Sequence, residues 1–226
     1  MAMKRFNIKR DDVFLSTKLD PDSVSDAVSA KMGIEESLNN LQVDYLDCMY
    51  IHAPTSWDMS VKNDNLAIYK ELEKAYKQGK IKNIGLSNFN IEQMKEILKN
   101  CEIKPTLVQL PVSIGYANKE MVDFCKENGI QPIAYSPIAS GNLLKSELVN
   151  KLARKYNTTP ANVCLDYAGQ VCGAVCFGSE DENHIAQNLR TEKLLSKEDV
   201  EKLNNIKDDR RQWDYIKGWK ETETIK

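Results

Sequence analysis

Tyr45-Leu46-Asp47-Cys48-Met49-Tyr50-Ile51-His52-Ala53-Pro54 is the stretch on which the reading of the fold turns. From Tyr45 to Ile51 it is too short and too continuously apolar for a surface helix, and Pro54 stops it. That composition reads as a strand buried on both faces, the kind found in parallel sheets covered by helices. Five further short apolar runs share the design. Val13-Phe14-Leu15 leads to Lys18, Ile84-Gly85-Leu86 to Ser87-Asn88, Leu107-Val108 to Gln109, and Ile133-Ala134 to Tyr135-Ser136. The sixth, over 171–177, leads to Gly178-Ser179.

Helical patterns fill the intervals. Val24, Ala27, Val28, Met32, Ile34, Leu38 and Leu41 recur at helical spacing over 23–41, with Ser23 and Asp26 resembling a helix start. Further helices are expected over 65–78, closed by Gly79, then 91–100, and 119–128, closed by Gly129. Others are expected over 146–156, 160–169 with proline in the first turn, 182–189 and 196–206. Strand followed by helix, repeated, means parallel strands joined by right-handed crossovers. The expected class is α/β, one domain over 1–226 with a charged tail over 208–226. A barrel puts polar strand tips around an active site. An open doubly wound sheet is the alternative, but the glycine-rich dinucleotide fingerprint is absent.

A formal charge of −2, from 31 basic and 33 acidic residues, gives no broad attraction to nucleic acid or anionic membrane. No apolar run has the length of a membrane span, and the first 18 residues have no signal core, so a cytoplasmic protein with small-molecule partners is expected. The six cysteines lie scattered in apolar stretches and read mostly as reduced core residues. Cys172 and Cys176 lack the second ligand pair a structural zinc needs.

Lys18 shares a strand face with Ser16; inside a barrel mouth it can tune charge or donate a proton, and otherwise it is a solvated strand end. His52 shares a face with Tyr50 and Cys48 and can donate to a substrate oxygen, or serve as an ordinary satisfied polar group. Ser87, Asn88 and Gln109 present uncharged donors and acceptors suited to a carboxamide, although Ser87, Asn88 or Asn90 could equally cap the next helix. Tyr135 offers a flat aromatic face, or core packing.

Several longer segments carry a family resemblance: 12–18, 37–47 leading to Ile51-His52-Ala53-Pro54, 79–89, and Ala134-Tyr135-Ser136-Pro137. In order and spacing they closely resemble the aldo-keto reductases, from about residue 10 to about 195. The resemblance implies a TIM-type (β/α) barrel that reduces an aldehyde or ketone with NADPH, or with NADH as the alternative. Lys18 and His52 match two of the family's four catalytic residues. Ser87, Asn88 and Gln109 match its carboxamide contacts, and Tyr135 the ring that stacks on the nicotinamide. Ser136, Ile138, Gly141 and Asn142 would approach the pyrophosphate, while Gly178, Ser179, His184, Gln187 and Asn188 would face the adenosine. Tyr50 and Trp57, with Trp213, Tyr215, Ile216 and Trp219 of the tail, would border the substrate pocket, with packing as the plainer role.

Two departures accompany the match. The family's first two strand-helix units, which carry its catalytic aspartate and tyrosine, have no room before Asp12, so a truncated barrel of about six units with impaired catalysis is expected. Open strand edges in such a barrel call for a cover, for example a homo-oligomer. A non-catalytic cofactor-binding or regulatory remnant is the alternative function. Where many relatives place cations against the 2′-phosphate, this chain has Gly178 and His184.

Overall fold

The computed structural model describes residues 2–58, 60–189 and 193–206, which leaves Trp213, Tyr215, Ile216 and Trp219 of the expected tail outside the described residues. Two compact units, 1–107 and 108–226, divide the chain.

In the first unit a short helix α1 (Ala2–Arg5) precedes β1 (Ser16–Leu19), α2 (Ala27–Leu41), β2 (Cys48–Ile51), α3 (Asn65–Lys77), β3 (Ile84–Ser87) and α4 (Ile91–Asn100). The strands are parallel, with Lys18 beside Tyr50 and Tyr50 beside Gly85. Every residue of β2 and β3 is buried, as a strand covered on both faces requires. α2 begins at Asp26, not Ser23: the Asp26 carboxylate accepts the Ser29 N–H, and the Ser29 hydroxyl answers the Asp26 N–H in a reciprocal cap. Its buried stripe is Ala30, Ile34 and Leu38, whereas Val28 and Met32 are exposed.

The strands are tied at their amino ends by one carboxylate. Asp47 accepts the Leu15 N–H at 2.9 Å and pairs with Arg10 at 2.7 Å, with Lys82 farther off at 3.8 Å. Its backbone carbonyl takes the Asn83 side-chain amide at 2.9 Å, so the residues preceding β1, β2 and β3 meet at this point. Arg10 and Lys82 also stand over the Tyr45 ring, at 4.0 and 3.7 Å from its centroid. Burial pushes the Asp47 carboxyl up, but the Leu15 N–H and the Arg10 guanidinium outweigh it and hold it below the usual carboxylate range.

From Val108 on, the second unit contains the rest of β4 (Leu107–Pro111), then α5 (Lys119–Glu127), β5 (Gln131–Tyr135), a 3-10 segment (Ala139–Lys145), α6 (Glu147–Lys155), α7 (Pro160–Cys172), α8 (Glu182–Asn188) and α9 (Lys197–Asn204). α7 packs against β5 and α6, burying Val163, Cys164, Tyr167 and Ala168. The expected strand over 171–177 is a correction. Val171 and Cys172 are the last residues of α7, and Gly173, at φ 89°, ends that helix. What survives of the strand is a parallel bridge of Val175 to Ala134, with Ala134 N–H to Ala174 O at 2.9 Å and Cys176 N–H to Ala134 O at 2.7 Å. No helix among the described residues is long and apolar enough to cross a membrane.

Asp47→Asn removes the charge from this junction. A charge-assisted hydrogen bond contributes roughly 1.5–3 kcal/mol, so the substitution should lower unfolding free energy by about 2 kcal/mol at neutral pH. Because the folded carboxyl titrates below its unfolded value near 4, the stabilisation is present above that value and fades as pH falls through the folded one. Urea denaturation of both proteins between pH 3 and 7 should therefore show their stabilities converging at acid pH.

Candidate active site

In the first unit the carboxyl ends of β1, β2 and β3 bring together Lys18, Tyr50, His52, Ser87 and Asn88. Parallel register does the placing, since residues two apart on a strand share a face. The Tyr50 ring is enclosed, 1% exposed, and the Lys18 ammonium lies 5.8 Å from its centroid. Its neighbour on β3 is Gly85, and a Cβ there would stand 2.3 Å from the Tyr50 ring carbons. Glycine is therefore required by close approach of an aromatic ring, a role not visible in the run Ile84-Gly85-Leu86 itself.

His52 follows β2 directly. Its N–H donates to Leu19 O at 3.2 Å, and its carbonyl accepts the Asn88 side-chain amide at 2.8 Å. Burial, reinforced by the nearby Lys18 charge and opposed by Asp20, pushes the imidazole down to about 4. It is thus neutral at physiological pH. Among the described residues neither ring nitrogen of His52 has a hydrogen-bond partner. Trp57 stands edge-on to the imidazole, with ring centroids 4.8 Å apart and planes at 89°. The Trp57 indole N–H donates to Asp20 at 3.2 Å and its backbone N–H to Asp22 at 2.8 Å.

The cap of α4 is Asn90, whose side chain accepts the Gln93 N–H at 2.9 Å. Ser87 and Asn88 are thereby released from that duty. Ser87 is buried at the strand tip, and Asn88 holds a left-handed φ of 62°, a conformation asparagine tolerates, while steadying the His52 carbonyl.

In the second unit Gln109 is buried on β4, and its amide nitrogen reaches the Cys176 sulfur at 3.9 Å. Cys176 is exposed and Cys101 half-buried, whereas Cys48, Cys125, Cys164 and Cys172 are core residues. Tyr135 ends β5 and is half-buried. The loop after it is wound with positive φ at Ser136 (53°), Ala139 (49°), Ser140 (54°) and Gly141 (86°). Three of those four carry a Cβ, and such conformations persist where the surrounding structure imposes them, often at ligand loops. Ile138 carries the loop's carbonyl, accepting the Gly141 N–H at 3.0 Å, and Asn142 lies in the same 3-10 segment.

Gly178 is open to solvent and Ser179 half-buried. Asp181 caps α8, accepting the Asn183 and His184 N–H groups at 2.8 and 3.0 Å. His184 and Gln187 are exposed, and Glu180, Asp181 and Glu182 surround the start of the helix with negative charge. Gln187 lines a groove of about 590 Å³ with Asn150, Arg154, Asn157 and Thr158, and Asn188 lines another of about 350 Å³ beside α7.

Asp20, Asp22 and Gly85 were not legible as site residues. The pair Asp20-Pro21-Asp22 immediately after a strand tip is the one signal the chain carried for the first two.

Known proteins resemble this chain in sequence and in fold. A match to the Aldo/keto reductase family spans residues 1–208. Glyoxal reductase of Bacillus subtilis is 34% identical over 213 residues, 93% of this chain and 74% of that protein. The aldose reductase structure from Schistosoma japonicum superposes with a TM-score of 0.84 at 32% identity, covering 94% of this chain and 74% of that one. An aldo-keto reductase structure complexed with NADPH gives a TM-score of 0.81 at 26% identity, over 93% of this chain and 69% of the other. The parallel strands and these superpositions place the fold in the (β/α) barrel class.

Gly85→Ala tests the seating of Tyr50. The enclosed ring cannot yield to a new methyl group, and overpacking costs typically 1–3 kcal/mol, so a loss of about 2 kcal/mol is expected in chemical denaturation. Gly79→Ala, where a Cβ meets nothing within 4 Å, controls for the loss of glycine as such: it strains a left-handed turn without creating a clash.

Proposed function

The chain belongs to the aldo-keto reductase family, and on that premise we propose that it binds a nicotinamide dinucleotide and reduces a small aldehyde or ketone slowly. The observation that carries this reading is the pairing of a neutral His52, its ring nitrogens unpartnered among the described residues, with the Lys18 cation at adjacent strand tips.

The donor set fits such a cofactor. Gln109 is a buried carboxamide whose nitrogen has a weak sulfur acceptor at 3.9 Å, which leaves capacity for a ligand's carboxamide; by the resemblance, Ser87 and Asn88 are the family's other contacts of that kind. The left-handed turns from Ser136 to Gly141 suit close approach of a diphosphate near Ile138 and Asn142, and Tyr135 offers its ring to the nicotinamide. When bound, the cofactor supplies a hydride. Gly178, Ser179, His184, Gln187 and Asn188 would meet the adenosine, where Glu180, Asp181 and Glu182 disfavour the extra charge of a 2′-phosphate. Binding of NADH should therefore rival that of NADPH.

His52 orients the carbonyl by donating a hydrogen bond to its oxygen, while Lys18 stabilises the negative charge that develops there. Tyr50 packs behind Lys18, and Trp57 borders the entrance to His52. Proton delivery is the weak step. With a midpoint of about 4, His52 is an imidazolium in roughly one molecule in a thousand at pH 7. A positioned acid typically contributes about a hundred- to ten-thousand-fold, so turnover that relies on His52 for its proton is slow.

Titration with NADH and NADPH, followed by tryptophan and cofactor fluorescence, should give affinities within about tenfold of each other. Gly178→Lys should then favour NADPH by roughly tenfold, the worth of one new charge-assisted contact. Binding without any carbonyl-dependent oxidation of the cofactor would leave a non-catalytic cofactor-binding protein in place of a reductase.

The pH dependence of turnover is a separate expectation. If His52 acts as a neutral hydrogen-bond donor, its contribution is flat from pH 6 to 8, because its midpoint of about 4 lies well below that window. A His52-dependent inflection near pH 6.5 in a steady-state profile, lost in His52→Gln, would contradict this role.

A further inference from the structure

We propose that Trp57, held by Asp20 and Asp22, is a positioning residue that fixes the orientation of the His52 imidazole. The proposal rests on the role given to His52 above. That role needs an oriented ring, yet what orients it is not a hydrogen bond: among the described residues its backbone is tied to Leu19 and Asn88 while its ring nitrogens have no partner. Packing must do the work. One contact able to do so is the Trp57 ring, edge-on at 4.8 Å, a favoured aromatic geometry.

Trp57 is itself restrained to an unusual degree for a residue 40% exposed. Its indole and backbone N–H groups go to two carboxylates of the loop following β1, Asp20 at 3.2 Å and Asp22 at 2.8 Å. The turn that carries it is closed on itself. The Ser56 hydroxyl accepts the Val61 N–H at 2.9 Å, and Asp58 accepts the Ser56 hydroxyl at 2.8 Å and the Ser60 N–H at 2.9 Å. The loops after β1 and β2 are thereby coupled through one indole, which rests on the imidazole. The charged groups acting on that imidazole are Lys18 from β1 and Asp20 from the loop after it.

The chain has only two histidines, so the test is an NMR titration of the full chain that follows the His52 ring signal. Trp57→Ala should raise the His52 midpoint by about one pH unit as water reaches the ring, and Trp57→Phe, which keeps an aromatic face, should restore most of the shift. Asp20 separates tether from charge. Asp20→Asn retains an oxygen to accept the indole N–H while losing the carboxylate, so the midpoint should stay or fall. Asp20→Ala loses both, and the midpoint should rise. If both Asp20 variants move the midpoint downward alike, Asp20 acts through charge alone and the clamp is wrong. An unchanged midpoint in Trp57→Ala also overturns it. A chain that binds no nicotinamide cofactor would refute the functional reading without touching this titration, which needs neither cofactor nor turnover.

Discussion

The Asp47 carboxylate is the constraint from which the first unit's geometry follows. Parallel strands have no hairpin turn to set their register, so some long-range contact must fix how far each slides past the next. Asp47 does this from the amino end. It takes the N–H of Leu15 ahead of β1 with its side chain and the Asn83 amide ahead of β3 with its backbone carbonyl, and Arg10 neutralises the charge. A slip of one residue would turn every side chain on β2 to the opposite face. The alignment of Lys18 with Tyr50 and of Tyr50 with Gly85, at the far ends of the same strands, is the consequence.

That alignment then decides the chemistry. Gly85 leaves room for the Tyr50 ring, the ring lies 5.8 Å from the Lys18 ammonium, and the Lys18 charge depresses His52, which burial has already made a weak base. Each step is a packing fact with an electrostatic result. The imidazole that emerges is suited to donating a hydrogen bond to a carbonyl oxygen and poorly suited to supplying a proton.

The polar-tipped apolar runs were legible because a strand buried on both faces must be apolar along its length, and a hydrophilic residue at its end is then conspicuous. Lys18, His52, Ser87 and Gln109 were visible on that ground alone. The run over 171–177 misled because short apolar segments do not distinguish a buried helix end from a strand, and only the left-handed Gly173 divides them. Which of Ser87, Asn88 and Asn90 caps α4 is settled by the Asn90–Gln93 exchange, a local contact that spacing permits but does not select. The roles of Asp47, Gly85, Asp20 and Trp57 were hidden for a different reason: each depends on a partner 32 to 37 residues away, brought close by the fold.

Charge is also distributed unevenly along the residues proposed for the carbonyl and the cofactor. A single cation, Lys18, stands close to the weakly basic His52, whereas the segment from Glu180 to Glu182 carries three carboxylates before the exposed His184. Asp181 is committed to two backbone N–H groups of α8, so its charge is fixed in place and its carboxyl is held below the usual range, chiefly by the His184 N–H. A ligand reaching that helix meets a capped terminus, whose partial positive charge is already answered by a carboxylate. Recognition there must then come from neutral groups such as Gln187 and Asn188, which can pair with a base or a ribose hydroxyl but cannot offset a second phosphate.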